Sequence, residues 1–158
     1  MSLRIGINGF GRIGRLALRS LWSQVATGEV TLVRINDPGG DAATFAHLLE
    51  FDSVHGQWTP GKGMTSRQDV IVIDGHEVAF SAHTTIAESD WSSCDVVIEC
   101  SGKMKSTDKL QAYLNQGVGR VVVSAPVKEE GVLNVVVGVN DHLFEPAKHR
   151  IVTAASCT

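Results

Sequence analysis

The sequence predicts a doubly wound α/β fold built on a mostly parallel sheet. Three observations carry the prediction. Short apolar runs rich in β-branched residues recur along the chain, amphipathic segments lie between them, and a glycine-patterned loop joins the first run to the first such segment. Nearly continuous apolar runs of strand length suit strands covered on both faces, as in a parallel sheet. Their alternation with helices implies right-handed crossovers between neighbouring strands.

Taken in order, Ile5-Gly6-Ile7 reads as the first strand. The segment Ile13 to Val25 reads as a helix that places Ile13, Leu16, Ala17, Leu21 and Val25 on one stripe. Val30 to Ile35 is the second strand, and Asp41 to Leu49 a second helix. The stretch Phe51 to Arg67, with Pro60, Gly61 and Gly63, reads as a loop excursion. Val70 to Phe80 then reads as a β-hairpin excursion turning at Asp74-Gly75. Further strands are expected at Val96 to Ile98, Val121 to Val123, Val135 to Val137 and Ile151 to Thr153. A helix over Thr107 to Gln116 brings Leu110, Tyr113 and Leu114 together. There is no internal repeat and no low-complexity stretch.

The whole-chain properties fit one ordinary domain. The 158 residues are long enough to bury a sizeable core, and 43% hydrophobic with 20% charged residues is usual for a globular protein. A net charge of −3 gives no general attraction to nucleic acid or to an anionic membrane, so neither is expected as a partner. No apolar run approaches the length of a membrane span, and the N-terminus lacks the apolar core of a signal peptide. The 3 cysteines, Cys94, Cys100 and Cys157, are sparse and odd in number, which argues for reduced thiols in a cytoplasmic setting. Cys100, ending an apolar strand, reads as structural and Cys94 as incidental. The 6 histidines show no metal-ligand spacing with the cysteines, and no metal is expected.

The strings with most chemical content lie at the strand ends. Gly9-Phe-Gly-Arg-Ile-Gly14 matches G-x-G-x-x-G between a strand and a helix. Gly9 permits a tight turn, Gly11 lets the backbone approach a pyrophosphate, and Gly14 lets helix and strand pack closely, as in a Rossmann-type fold. Free amides at the helix start then face the anion with a favourable dipole. The bland alternative is a glycine-rich turn without a ligand. Asp37, at the end of the second strand, follows Gly14 by about 20 residues, the spacing of a ribose-binding carboxylate. Such a carboxylate favours NAD over NADP, because it accepts from ribose hydroxyls and repels a 2′-phosphate. The alternative is a turn former ahead of Pro38.

Asn8-Gly-Phe-Gly-Arg-Ile-Gly-Arg15, Ile35-Asn-Asp-Pro38, Phe51-Asp-Ser-Val-His-Gly56, Ser124-Ala-Pro126, Val137-Gly-Val-Asn140 and Ala155-Ser-Cys-Thr158 occur in that order. Together they resemble the glyceraldehyde-3-phosphate dehydrogenase family across essentially the entire chain. The resemblance implies a Rossmann-type NAD-binding domain over residues 1–158, ending at the catalytic cysteine, with the substrate domain absent. It implies backbone contacts from Arg12 and Ile13 to the pyrophosphate, Asp37 on the adenosine ribose, and Asn8 stabilising the glycine loop. Ser101 and Gly102 would lie along the dinucleotide and Ser124 near the nicotinamide side. Cys157 would be the nucleophile that forms a hemithioacetal, passes hydride to NAD and leaves a thioester for phosphate to cleave. Ser156 and Thr158 would bind substrate phosphate or the attacking phosphate. His55 belongs to a family string and has a structural reading.

Two positions depart from the commoner pattern. His83 stands where many members have an arginine near the adenine, and Met104 where many have an aromatic residue; both can still flank the ring. The helix at Asp41 to Leu49 with the residues after it is also similar to an arsenate-using branch. The resemblance implies a phosphorylated aldehyde and inorganic phosphate as substrates, a homotetramer and a cytoplasmic location for the intact enzyme. It also implies that these 158 residues alone bind NAD without turnover, since the family's catalytic histidine lies beyond Cys157. An erythrose-4-phosphate dehydrogenase remains an alternative within the family. Outside it stand an aspartate-semialdehyde or homoserine dehydrogenase, and a nucleotide-binding module without catalysis.

Overall fold

A computed structural model of the protein describes residues 1–154. The elements run β1 (Leu3–Asn8), α1 (Arg12–Ala26), β2 (Val30–Asn36), α2 (Ala42–Glu50), β3 (Phe51–Asp52), β4 (Gly56–Gln57), β5 (Met64–Arg67), β6 (Val70–Ile73) and β7 (His76–Ser81). They continue with β8 (Val96–Glu99), α3 (Thr107–Asn115), β9 (Arg120–Val123), β10 (Leu133–Asn134) and β11 (Ile151–Thr153). One sheet has the order β10-β11-β9-β8-β1-β2-β7-β6-β5, and β3 pairs with β4 in a small hairpin. From β10 to β7 all neighbours are parallel, while β5, β6 and β7 form an antiparallel meander. The expected doubly wound, mostly parallel α/β sheet is therefore present.

Strand alternation divides the core between the two faces of this sheet. Ile5 and Ile7 of β1 join Leu18, Trp22, Phe45, Leu49, Ile71 and Phe80 on one face. The other face holds Trp91, Cys94, Val97, Leu110, Tyr113, Val121 and Val123. Gly6 lies against the second cluster, where an added Cβ would meet Cys94 Sγ at 2.8 Å and the Trp91 ring at 3.0 Å. Cys94, which the sequence left as incidental, is thus a fully buried packing residue. Its burial pushes the thiol up to about 11.

Three expectations need correction. The buried stripe of α1 is Gly14, Leu18, Trp22 and Val25, whereas Ile13 is exposed. The cause is close approach: Gly14 has no room for a side chain, because a Cβ there would sit 2.2 Å from the Gly9 carbonyl oxygen. That contact turns the helix face through Gly14 toward the sheet. The segment Phe51 to Arg67 is not simply a loop. It holds β3, β4 and the edge strand β5, whose alternating half-buried and exposed Met64-Thr-Ser-Arg67 pairs with β6. The expected strand at Val135 to Val137 is replaced by the two-residue β10 just before it. Asn140 Oδ1 accepts from the Val136 amide and Asp141 Oδ1 from the Gly138 amide, and Gly138 takes φ +83°. Those side-chain bonds turn the chain and leave Val136 and Val137 exposed. The Asp74-Gly75 turn forms as expected, with φ of 48° and 82° at its two residues, the signature of a type I′ hairpin.

Candidate functional site

The loop from β1 to α1 is shaped by its glycines. Gly9 has φ +86°, and a Cβ there would lie 2.3 Å from the Ser101 nitrogen and 2.5 Å from the Cys100 carbonyl carbon. The loop and the end of β8 touch backbone to backbone at this point. Gly11 has no atom within 4 Å of where its Cβ would be, so that side of the loop is open. It is also the N-cap of α1, without a side-chain hydrogen bond, whereas Asp41 caps α2 and Ser106 caps α3. First-turn amides of an uncapped helix have no partner within the helix and carry the positive end of its dipole. Arg12 and Ile13, both exposed, begin that turn.

Asp37 folds back over the same loop. Its Oδ2 accepts from the Phe10 amide at 2.6 Å and its Oδ1 from the Gly39 amide at 2.7 Å. The second bond makes it the turn former that composition allows. A carboxylate has about four acceptor positions, so each oxygen can still take a hydroxyl. A cleft beside it is lined by Asn8, Gly9, Asp37, His83, Ser101 and Met104. The sequence-predicted residues Gly9, Asp37, His83 and Ser101 are thus brought together, and Gly102, at φ +70°, follows Ser101. Ser124 stands apart from this cleft, at the end of β9, where its amide donates to the Glu99 carbonyl. The half-buried Cys100, just after β8, has its thiol pushed up to about 11, mainly by burial. Ser156, Cys157 and Thr158 lie outside the described residues.

Below the cleft lies a row of polar side chains that the sequence did not announce. Asn8, Asn36, Ser81 and Glu99 are each the last residue of an apolar strand. Register pairs Asn36 with Asn8, Asn8 with Glu99, and Asn36 with Ser81. In-register parallel strands put these side chains on one face. Asn36 Nδ2 donates to Asn8 Oδ1 at 2.8 Å, and Asn8 Nδ2 donates to Glu99 Oε2 at 2.8 Å and to the Tyr113 hydroxyl at 2.7 Å. Asn8 therefore supports the glycine loop from beneath. Burial, followed by the charge of Glu99, pushes the Tyr113 phenol far up, so it stays a donor.

The model of the family described as "Glyceraldehyde 3-phosphate dehydrogenase, NAD binding domain" matches residues 3–107. The chain belongs to that family. It is 49% identical to glyceraldehyde-3-phosphate dehydrogenase 3 of a Nostoc species and 45% identical to glyceraldehyde-3-phosphate dehydrogenase of Pseudomonas aeruginosa. A third relative, the glycosomal glyceraldehyde-3-phosphate dehydrogenase of Crithidia fasciculata, is 36% identical. Each alignment covers 99–100% of this chain and 46% of the relative. The chain therefore spans about half the length of the curated relatives it matches.

In this NAD-binding domain Gly9 of the glycine loop and Asp37 share one cleft, while Arg12 and Ile13, at the start of α1, line a separate pocket with Phe51, Asp52 and His55. An uncapped helix N-terminus is chemically suited to an anion, and a carboxylate such as Asp37 to hydroxyl donors. None of its described helices is long and apolar enough to cross a membrane. What the sequence reading missed is the polar row. Asn8 and Asn36 lay within family strings and Glu99 directly followed the expected strand Val96 to Ile98, but only cross-strand register joins them.

Proposed function

We propose that these residues form the NAD-binding half of a phosphorylating glyceraldehyde-3-phosphate dehydrogenase. The observation that carries this reading is that Asp37 accepts from the Phe10 amide, next to the uncapped start of α1 at Gly11, and shares a cleft with Gly9 of the same loop. The amides of Arg12 and Ile13 take the diphosphate, and Gly9, Gly11 and Gly14 let it approach. Asp37 holds the adenosine ribose and sets the preference for NAD over NADP, because a 2′-phosphate would meet its charge. His83 and Met104 flank the adenine, Ser101 and Gly102 run along the dinucleotide, and Ser124 approaches the nicotinamide side.

In the same reading Cys157 is the nucleophile. Its thiolate attacks the aldehyde carbon, a histidine accepts the hydroxyl proton, hydride passes to NAD, and phosphate cleaves the thioester. Ser156 and Thr158 bind phosphate beside it. The substrate is a phosphorylated aldehyde, and the working enzyme is a cytoplasmic homotetramer. The 158 residues by themselves hold the cofactor without turnover, because the catalytic histidine and the arginine for substrate phosphate are not among them. Calorimetry with NAD and NADP tests the reading. The expected result is binding of NAD with at least tenfold weaker NADP; equal binding of the two, or none by folded protein, would overturn it. A dehydrogenase rate from the purified 158-residue chain would overturn the claim of no turnover.

A further inference from the structure

Glu99 is 1% exposed, and among the described residues no ion pair includes it. A buried carboxylate without a cation must be matched by hydrogen-bond donors. Three reach it: the Ser101 amide on Oε1 at 2.8 Å, and Asn8 Nδ2 and the Tyr113 hydroxyl on Oε2. The direction of these bonds is imposed from the far side of the cleft. The His83 amide donates to Asn36 Oδ1 at 2.9 Å, while Asn36 Nδ2 donates to the His83 carbonyl at 3.0 Å. Backbone groups cannot exchange donor for acceptor, so the Asn36 amide has one orientation. Its Nδ2 must then face Asn8 Oδ1, and Asn8 Nδ2 must face Glu99. Every link points toward the carboxylate, and an acceptor-only group is the one side chain that completes the row.

The two ends of this row are the two walls of the cleft. His83 stands on one side and Ser101 on the other, and the chain Ser101–Glu99–Asn8–Asn36–His83 crosses the floor between them. We propose that Glu99 is a positioning residue for the cofactor. By accepting from Ser101 and Asn8 it holds the β8 loop and the His83 loop at the one separation that admits the adenosine end of NAD. This rests on the NAD-binding reading above. The effect is indirect, since Glu99 lies beneath the cleft and is not among the residues that line it.

Glu99→Gln tests it with almost no change of shape. The amide nitrogen of glutamine presents a donor to Ser101 or to Asn8, both donors, so the row must break at one of its joints. The expected results are a Kd for NAD raised about tenfold, and shifts of both the Ser101 and the His83 amide resonances in the ¹H–¹⁵N spectrum. The Thr44 amide, at the start of α2, should stay in place. Tyr113→Phe removes one of the three donors and keeps the ring packing. It should move the same two resonances less and raise Kd about two- to threefold, which keeps the test available if the first variant does not fold. A His83 resonance unmoved in a folded variant, or a Kd within a factor of two of the native value for Glu99→Gln, would overturn the proposal alone. Native protein that binds no NAD would overturn the cofactor reading and this inference with it.

Discussion

Replacing Gly9 and Gly11 separately by alanine distinguishes a glycine the fold needs from one a ligand needs. At Gly9 the backbone has φ +86°, and holding alanine there costs about 1–2 kcal/mol. The new methyl would also stand 2.3–2.5 Å from three backbone atoms of Cys100 and Ser101, so loop and strand end must part. Parting them weakens the Cys100 amide bond to the Asn8 carbonyl and the Ser101 amide bond to Glu99, each worth about 1 kcal/mol. The total is roughly 3–4 kcal/mol, a large share of a typical domain stability of about 5–15 kcal/mol. Tm should fall by roughly 10 °C at about 2–4 °C per kcal/mol. At Gly11 φ is −68° and nothing lies within 4 Å of the added methyl. Gly11→Ala should therefore change stability by less than about 1 kcal/mol, while the methyl blocks the approach of a diphosphate and weakens NAD binding at least tenfold. Urea unfolding and calorimetry on both variants decide the matter. Gly9→Ala with native stability, or Gly11→Ala with native affinity, would refute the reasoning.

Further outcomes follow from the same geometry. Asp37→Ala should weaken NAD binding and narrow the gap between NAD and NADP in a competition titration, and an unchanged ratio would count against the ribose role. Arg4 holds the Asp95 carboxyl at about 2 through a two-pronged bond from β1 to the start of β8, below the usual carboxylate value near 4. A lowered native pKa means stability present above about pH 4 and lost as pH falls through about 2. Asp95→Asn should therefore lower the urea midpoint at neutral pH, with the two curves converging in strong acid; a constant offset would contradict this. Burial keeps Cys94 and Cys100, both near 11, un-ionised at neutral pH. Iodoacetamide at pH 7.5 should then label Cys157 ahead of both, as read by peptide mass spectrometry, and faster labelling of Cys94 would be inconsistent with its packing under Gly6.

The parallel sheet was legible because both of its faces are covered, which forces the apolar runs that periodicity detects. The glycine loop and Asp37 were legible because their geometry admits few residue types. Elsewhere apolar content misled. Val135 to Val137 look like a strand, yet Asn140 and Asp141 capture the neighbouring amides and bend the chain, an effect of side chains several residues away. The stripe on α1 is not legible from apolar residues alone, because Gly14 faces the sheet through its missing Cβ. Met64 to Arg67 alternate in burial along an edge strand, but only Met64 is apolar, so no period-2 apolar pattern marks the strand. Glu99, Asn8 and Asn36 gain their meaning only side by side, and register across parallel strands is not written in any one segment.

The most direct test is a crystal structure of the protein grown with millimolar NAD. The diphosphate should lie within hydrogen-bond distance of the Arg12 and Ile13 amides, with both adenosine ribose hydroxyls on Asp37. A dinucleotide seated elsewhere on the sheet, or one that reaches the glycine loop but leaves Asp37 uncontacted, would contradict it.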